Sequence, residues 1–297
     1  MNKDLFSSFK NVSYQEPMKN HTSFQLGGPV DVFIEAQDLG EIKKAVDLCK
    51  RGSLPWMVLG KGTNLIISDL GLDGVIIHMG EAFKKIEAIN ETVIRAYAGT
   101  SLKSLAEFAQ ERSLEGLEFA HGIPGSVGGA ITMNAGAYDG ECVQVVKEVG
   151  LMTRQGEILT LSVEEMDFAY RHSRVQREKD IVLWASFQLK KGDPIKIKEK
   201  MDDLWQRRLN KQPLEYPSAG STFKRPPGHY AGQLIDLAGC RGLYHQGAQI
   251  SQKHCGFVIN KNQASTQAVV ELIETVQKLV KDQFGVDLET EVKVLGR

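Results

Sequence analysis

The sequence predicts an α+β (mixed α/β) protein with mixed sheets. Short apolar runs typical of strands alternate along the chain with segments whose apolar residues recur every three or four positions, as on one helix face. Hydrophobic residues make up 42% of the chain and charged residues 25%, the balance of an ordinary globular protein. The 297 residues are enough for about two domains with a sizeable core.

The first third of the chain reads as a strand, a helix and three further strands. DVFIEA is a short apolar run, and Asp38 with Glu41 forms a capping-box-like start for a helix that continues to Gly52. PWMVLG reads as a buried strand, and LIISD and GVIIHMG follow as two more, separated by glycine turns.

The middle third predicts two groups of strands around a helix and a glycine-rich loop. KIEAINETVIRAYAG alternates as strands do, and a helix follows from about Ser101 to Arg112. The stretch from His121 to Gly140 is unusually rich in glycine and alanine. The strands EVGLMT, EILTLS and IVLWASFQL complete this part.

A domain boundary is predicted near residues 190–194, where Asp193 caps a helix that begins at Pro194. A short helix (AGQLIDLAG), the strands GAQIS and GFVIN, and a helix from Ser265 to Phe284 follow, the last one stopped by Gly285. DLETEVKVLG predicts a final strand whose two faces alternate. Its apolar face carries Leu288, Thr290, Val292 and Val294, and its polar face Glu289, Glu291 and Lys293.

Composition excludes several classes of function. Lys and Arg (36) nearly balance Asp and Glu (37), so we expect no nucleic-acid partner. No apolar run reaches the ~18 residues of a membrane span, and the N-terminus shows no apolar leader core. We therefore expect a cytoplasmic protein without membrane insertion. The scattered cysteines favour reduced thiols, and the spacing of Cys240, His245, His254 and Cys255 matches no usual metal site.

Two glycine-rich loops indicate an anionic cofactor. LGKGTNLIIS places Gly60 and Gly62 between two strands, where backbone amides can bind an anion, although an ordinary hairpin turn explains this segment alone equally well. It is neither a Walker loop nor the usual dinucleotide fingerprint. The second loop, between His121 and Gly140, is too apolar for a solvated linker. Together they suggest a dinucleotide-like cofactor held without a Rossmann fold.

Six motifs then appear in a characteristic order: NHTSFQLGG, GKGTN, HGIPGSVGGAITMNAGAY, AYRHS, SAGSTFKRP and LETEV. In this order they resemble the UDP-N-acetylenolpyruvoylglucosamine reductase (MurB) family, in its shorter type II class, over nearly the whole chain. The resemblance implies a vanillyl-alcohol-oxidase/PCMH-type fold with FAD-binding subdomains at 1–84 and 85–192 and a C-terminal α/β substrate-binding domain at 193–297. Without the inserted loop of the longer class, the sequence leaves open what closes the site.

The implied reaction uses NADPH, through non-covalently bound FAD, to reduce the enolpyruvyl ether of UDP-N-acetylenolpyruvoylglucosamine. The product, UDP-N-acetylmuramate, is a peptidoglycan precursor. The resemblance also implies that NADPH and the sugar nucleotide take turns in one site, and we expect a monomer. The flavin oxidases of the same superfamily and a non-catalytic nucleotide-sugar-binding protein are the alternatives.

The resemblance assigns roles to individual residues. It implies Arg171 and Glu291 as catalytic residues and Ser221 as proton donor. The implied cofactor contacts are Gly60, Lys61, Gly62, Thr63, Asn64, His121, Gly122, Ile123, Pro124, Gly125, Ser126, Gly128, Gly129, Ala130, Asn134, Gly136, Ala137 and Tyr138. The candidate substrate contacts are Tyr170, Lys211, Lys224, Arg225, Tyr230, Gln233 and His254.

The spelling Ser221-x-x-Lys224 also matches the nucleophile motif of serine acyl-enzymes. Pro226 and Pro227 exclude that mechanism, because the residue before a proline leaves the helical region and the motif needs a helix. As a weak acid, a serine that donates a proton needs a nearby cation or hydrogen-bond partner. Lys224 is a candidate for that role, and a solvated or phosphate-binding lysine is an equal alternative.

The pattern of residues leaves other choices open. Alternation alone does not distinguish Glu289 from Glu291, and a solvated strand face explains both. Arg207, Arg208 and Lys211 suit a diphosphate ligand, and a basic helix end favoured by the helix dipole explains them nearly as well.

Overall fold

The computed structural model describes residues 3–297, with side chains from Leu5 onward. Met1 and Asn2 lie outside the described residues. They belong to the N-terminal stretch for which the sequence predicted no apolar leader core. The chain forms two compact units. The first comprises the described residues up to Val12 together with Phe33–Lys61 and Val75–Arg208, and the second comprises Ser13–Val32, Gly62–Gly74 and Leu209–Arg297.

Seven α-helices lie within the described residues. They are α1 (Leu39–Arg51), α2 (Leu102–Glu111), α3 (Val127–Met133), α4 (Arg174–Glu178), α5 (Pro194–Lys211), α6 (Ala231–Leu237) and α7 (Thr266–Phe284).

The strands of the described residues are short and belong to several sheets. They are β1 (Val12–Pro17), β2 (Pro29–Glu35), β3 (Trp56–Leu59), β4 (Leu65–Ile67), β5 (Leu72–His78), β6 (Ile86–Ala88), β7 (Val93–Tyr97), β8 (Leu114–Glu115), β9 (Gly136–Ala137), β10 (Gly140–Glu141), β11 (Val146–Met152), β12 (Ile158–Ser162), β13 (Ile181–Gln188), β14 (Lys190–Lys191), β15 (Tyr244–His245), β16 (Ala248–Ile250), β17 (Val258–Asn260) and β18 (Lys293–Leu295). A four-stranded sheet has the order β1-β2-β5-β3, in which β3 and β5 are parallel.

The largest sheet of the first unit has the order β12-β11-β13-β7-β6 and antiparallel pairing. Helix α3 packs against β13 and β7. Gly150 in β11 faces Trp184 in β13, where a Cβ would lie 2.1 Å from the indole ring. This sheet therefore supports the glycine-rich segment that contains α3.

The second unit is built around the long helix α7, which packs against α6 and the sheet β15-β16-β17. Its buried core draws side chains from well-separated parts of the sequence, such as Phe24, Ile66, Phe223 and Val276. Strand β18 pairs in parallel with β4, so residues near the end of the sequence lie beside those that follow the first glycine loop.

Local signals in the sequence placed the ends of several helices correctly. Asp38 Oδ1 accepts a hydrogen bond from the Glu41 amide (2.8 Å) at the start of α1. Pro194 is the first residue of α5, and Asp193 caps it through the Ile195 amide (2.8 Å). Gly285 ends α7 with φ +69°. The mixed helix and sheet content confirms the predicted fold class.

Three predictions of local structure were wrong. The final strand is limited to Lys293–Leu295, because these are the residues that pair with β4, and Val294 on its predicted apolar face is 48% exposed. The glycine-rich stretch 121–140 was predicted as a loop but contains α3 and a β9–β10 hairpin, which Ser126 and the turn residues stabilise. Strand β3 is half-buried, since it lies at the edge of its sheet.

Candidate active site

The first glycine loop connects β3 to β4. Gly62 has φ +58°, and a Cβ at this position would lie 2.0 Å from the backbone oxygen of His21. The Ser23 amide donates to the Gly62 oxygen (3.2 Å), so the segment 21–23 packs directly on the loop. Only glycine fits here, on grounds of both conformation and space.

The loop leaves backbone donors available. Within the described chain, the amides of Gly60, Lys61, Gly62 and Thr63 donate to no protein group. Desolvation and the neighbouring Lys84 lower the pKa of Lys61. Amide donors beside a lysine are suited to a phosphate group.

The second glycine segment lies against the first. Ser126 caps α3 by accepting from the Gly129 amide (3.4 Å), and a Cβ at Gly60 would lie 2.4 Å from its Oγ. At Gly129 and Gly125, by contrast, a Cβ would meet nothing closer than 3.5 and 3.6 Å. Gly60 therefore requires glycine for packing, while a Cβ at Gly125 or Gly129 would make only ordinary van der Waals contacts.

A buried cation borders this segment. Arg208 on α5 is only 7% exposed, its Nε lies 2.9 Å from where a Cβ of Gly122 would be, and its guanidinium is 6.0 Å from the Tyr138 ring centroid. Desolvation lowers the pKa of Arg208. Arg208 falls at helical spacing from Ile197 and Met201, on the apolar face of α5, and this spacing is the sequence signal that indicates its burial.

His121 contributes an unsatisfied group to the same region. Its Nδ1 is buried and has no hydrogen-bond partner among the described residues, while its Nε2 lies 3.6 Å from Glu107. A buried polar atom without a partner costs free energy unless a ligand binds it. The available amides of the first loop and this buried nitrogen fit the dinucleotide cofactor that the sequence predicts.

Asn134 organises the end of the segment. It ends α3 with φ +42°, its Oδ1 accepts from the Val143 amide (3.0 Å), and its Nδ2 donates to Glu141 (2.8 Å) and to the Ala169 oxygen (3.2 Å). Its carboxamide therefore holds the segment that leads to Tyr170 and Arg171. The turn of the β9–β10 hairpin is formed by Tyr138 and Asp139, which both have positive φ.

Arg171 lies at the edge of the glycine segment. Its Nη2 donates to the Gly136 oxygen (3.4 Å), and its guanidinium lies 4.9 Å from the Tyr170 ring centroid. Its φ is +54°, an unfavourable conformation for a side-chain-bearing residue. Such strain persists where the surroundings impose it, which is common at functional sites.

The second unit places Ser221 and Glu291 on neighbouring segments. The Glu291 amide donates to the Thr222 oxygen (2.8 Å), and Phe223 pairs with Thr290 in an isolated antiparallel bridge. The Lys224 amide donates to the Glu289 oxygen (2.8 Å) and extends this pairing. Gly220, with φ +76°, turns the chain just before Ser221.

The structure distinguishes the two glutamates that the sequence pattern left equivalent. Glu289 has a 71% exposed side chain in an ion pair with Lys224, whereas Glu291 is half-buried. Desolvation, with the charge of Lys224, lowers the pKa of Lys293. Lys224 is thus engaged with a carboxylate, and Glu291 is the more enclosed of the two acids.

Other candidate substrate contacts cluster in the second unit. Burial lowers the pKa of His254, and the charges of Arg241 and Lys211 add to this effect although a backbone hydrogen bond opposes it. Arg225 stacks on the Tyr230 ring at 3.9 Å. Gln233 is exposed on α6. Together these groups form a cation-rich surface suited to phosphates.

Some features are absent from the described residues 3–297. None of the helices there is long and apolar enough to cross a bilayer. No group of three or more His, Cys, Asp or Glu side chains in that range could hold a metal ion. All four cysteines are free and buried.

Comparison with known proteins identifies related proteins. Residues 30–162 match the family model of an FAD binding domain, and residues 212–295 match that of the UDP-N-acetylenolpyruvoylglucosamine reductase C-terminal domain. The chain is 48% identical to the UDP-N-acetylenolpyruvoylglucosamine reductase of Clostridium novyi (strain NT), covering 94% of this chain and 90% of that one. It is 44% identical to that of Clostridioides difficile (strain 630), covering 99% of both.

A solved structure is similar in both sequence and fold. The crystal structure of UDP-N-acetylenolpyruvylglucosamine reductase (MurB) from Thermus caldophilus aligns with a TM-score of 0.82 and 32% identity, over 96% of this chain and 98% of that one. The fold is accordingly of the vanillyl-alcohol-oxidase/PCMH FAD-binding type with a C-terminal α/β region.

Proposed function

This chain belongs to the UDP-N-acetylenolpyruvoylglucosamine reductase family of FAD-dependent oxidoreductases, and on that premise we propose that it reduces UDP-N-acetylenolpyruvoylglucosamine with NADPH. The product would be UDP-N-acetylmuramate, a precursor of peptidoglycan. One observation supports the assignment of the chemistry: the segments 222–224 and 289–291 pair, and Ser221 directly precedes the first of them while Glu291 ends the second.

The two glycine segments would hold FAD non-covalently. The amides of Gly60–Thr63 suit its diphosphate, and we propose that the segment Gly122–Gly129 contributes further backbone contacts. His121 and Tyr138 add polar and aromatic contacts. We propose that Asn134 contributes indirectly, by holding the segment before Arg171.

When bound, FAD supplies hydride transfer, so that negative charge accumulates on the enolpyruvyl α-carbon and its carboxylate. Arg171 binds that carboxylate, because its planar guanidinium can donate two parallel hydrogen bonds. The hydrogen bond from Arg171 to the Gly136 oxygen would help to orient the guanidinium before substrate binds, and a preorganised charge stabilises the developing anion most effectively.

Ser221 Oγ–H donates the proton to the α-carbon. Glu291, on the neighbouring segment, orients the hydroxyl and returns a proton to it. Lys224 neutralises Glu289 and so limits the negative charge near the departing proton. Tyr170, Lys211, Arg225, Tyr230, Gln233 and His254 bind the substrate, with the cations among them on its phosphates.

We retain three functional parts for this reaction. Residues 1–84 and 85–192 form the FAD-binding subdomains, and residues 193–297 bind the substrate. These three parts are defined by the ligand that each would bind. The two compact units are defined by contacts within the chain, and there the segments 13–32 and 62–74 belong to the same unit as residues 209–297.

The half-reactions of the Ser221→Ala variant test the proposal. Under anaerobic stopped-flow, NADPH should bleach the flavin of this variant at the wild-type rate, while reoxidation by the enolpyruvyl sugar should be severely slowed. Ser265→Ala, which removes the cap of α7 in the same unit, controls for lost stability. Wild-type protein that is reoxidised by O₂ but not by the enolpyruvyl sugar would instead identify an oxidase.

A further inference from the structure

Asn64 connects the first glycine loop to the segment that carries Glu291. Its Nδ2 donates a hydrogen bond to the Glu291 oxygen (3.1 Å), and its backbone oxygen accepts from the Lys293 amide (3.0 Å). The parallel pairing of β4 with β18 begins directly afterwards, with Lys293 opposite Leu65. A single residue thus holds the chain on either side of Val292.

The peptide groups of Glu291 are held from both sides. Its amide donates to the Thr222 oxygen (2.8 Å), and its carbonyl accepts from Asn64. The segments carrying Ser221 and Glu291 and the first glycine loop are therefore joined in one series of hydrogen bonds within the second unit.

The pairing around Glu291 is short. Regular strand structure begins only at Lys293, and before it the Phe223–Thr290 bridge is isolated. In a long ladder many neighbouring bonds would compensate for the loss of one, whereas in a short pairing the bond from Asn64 contributes more to the position of the glutamate. Displacements of about 1 Å in catalytic groups can cost on the order of 100-fold in rate.

We propose that Asn64 is a positioning residue, whose carboxamide holds the Glu291 peptide and so aligns Glu291 with Ser221 for proton delivery. The cofactor loop thereby also organises the group that acts on the substrate. This role rests on the proposed function and goes beyond a contact between Asn64 and the cofactor.

The Asn64→Ala and Asn64→Asp variants separate this role from cofactor binding. With FAD saturating, reoxidation of Asn64→Ala by the enolpyruvyl sugar should fall roughly 10- to 100-fold further than its flavin reduction by NADPH. A fall of both half-reactions in proportion to lost FAD would make Asn64 a cofactor contact only and overturn the proposal.

Asn64→Asp adds a pH test. An ionised carboxylate cannot donate to the Glu291 oxygen and repels it, so reoxidation at pH 8 should be slower than in Asn64→Ala. A protonated carboxyl group regains one donor, so the rate relative to wild type should recover as the pH is lowered towards 5. A constant ratio of the variant to wild type across this range would contradict the role of the donor.

A readout independent of activity is amide hydrogen exchange in the apoprotein. Peptides covering 286–297 should take up deuterium faster in Asn64→Ala than in wild type. Asn260→Ala, which removes the side-chain bonds to Phe24 and Ala264 in the same unit, should leave these peptides unchanged. Unchanged deuterium uptake in Asn64→Ala would refute the positioning role and leave the proposed function untouched. Failure of the enolpyruvyl sugar to reoxidise the reduced flavin of the wild-type protein would refute the proposed function.

Discussion

Replacing Gly62 with alanine tests how closely the first glycine loop is packed. Gly62 has φ +58°, and the added methyl group would lie 2.0 Å from the backbone oxygen and 3.1 Å from the backbone carbon of His21. These are backbone atoms held by neighbouring hydrogen bonds, so no flexible side chain can move to make room. The loop or the segment 21–23 must shift instead.

Two contributions set the magnitude. The left-handed conformation costs an alanine roughly 1–2 kcal/mol, and overpacking typically costs about 1–3 kcal/mol more. Gly239 is a matched control, because its φ is +75° and a Cβ there would meet nothing within 4 Å. Gly239→Ala therefore incurs the conformational cost alone.

Urea unfolding of the apoproteins and FAD titration measure the effect. We expect Gly62→Ala to lose about 1–3 kcal/mol more in the free energy of unfolding than Gly239→Ala, and to bind FAD more weakly, because the amides of Gly60–Thr63 move. Equal losses of stability in the two variants, with unchanged FAD affinity, would refute the close approach of Gly62 to His21.

Three further outcomes are expected. Burial opposes ionisation of Asp31, but hydrogen bonds from the Gly74 amide and from Arg297 outweigh it and lower its pKa below 3.8. The ionised carboxylate therefore stabilises the folded protein above that pH, and this stabilisation is lost as the pH falls through the folded-state pKa. The urea midpoints of wild type and Arg297→Ala should accordingly approach each other in acid. The lowered pKa of His254 should rise when phosphates bind near Lys211, so the KM for the sugar nucleotide should fall from pH 8 to pH 6 in wild type but not in His254→Gln. Burial raises the pKa of Cys142 to about 12, so a thiol reagent at pH 8 should modify it in urea but not in the native protein.

Local signals determine much of this fold, and they can be recognised in the sequence. A cap such as Asp193 or a stop such as Gly285 acts within a few residues, so its effect can be predicted from its neighbours. The helix α3 escaped prediction because its glycines disfavour helix locally. Ser126 and packing against β13 stabilise it in the folded chain.

The candidate site is only partly predictable from sequence, because its geometry depends on distant residues. Alternation made Glu289 and Glu291 equivalent, and their burial, the pairing of Glu289 with Lys224 and the bond from Asn64 to Glu291 distinguish their environments. The burial of Arg208 follows from its position on the apolar face of α5, but its approach to Gly122 required the fold. The family motifs supplied the catalytic roles, which remain predictions.

The bond from Asn64 to Glu291 spans 227 residues of sequence, and this has a consequence for how the chain acquires its structure. Closing a loop of that length costs about 5 kcal/mol by the (3/2)RT ln n relation, and contacts of such separation slow folding. The second unit combines residues 13–32, 62–74 and 209–297. During synthesis its early segments therefore cannot complete their packing until residues 209–297 have been made. We therefore expect the cofactor loop to reach its final conformation late in folding, and FAD to bind after that.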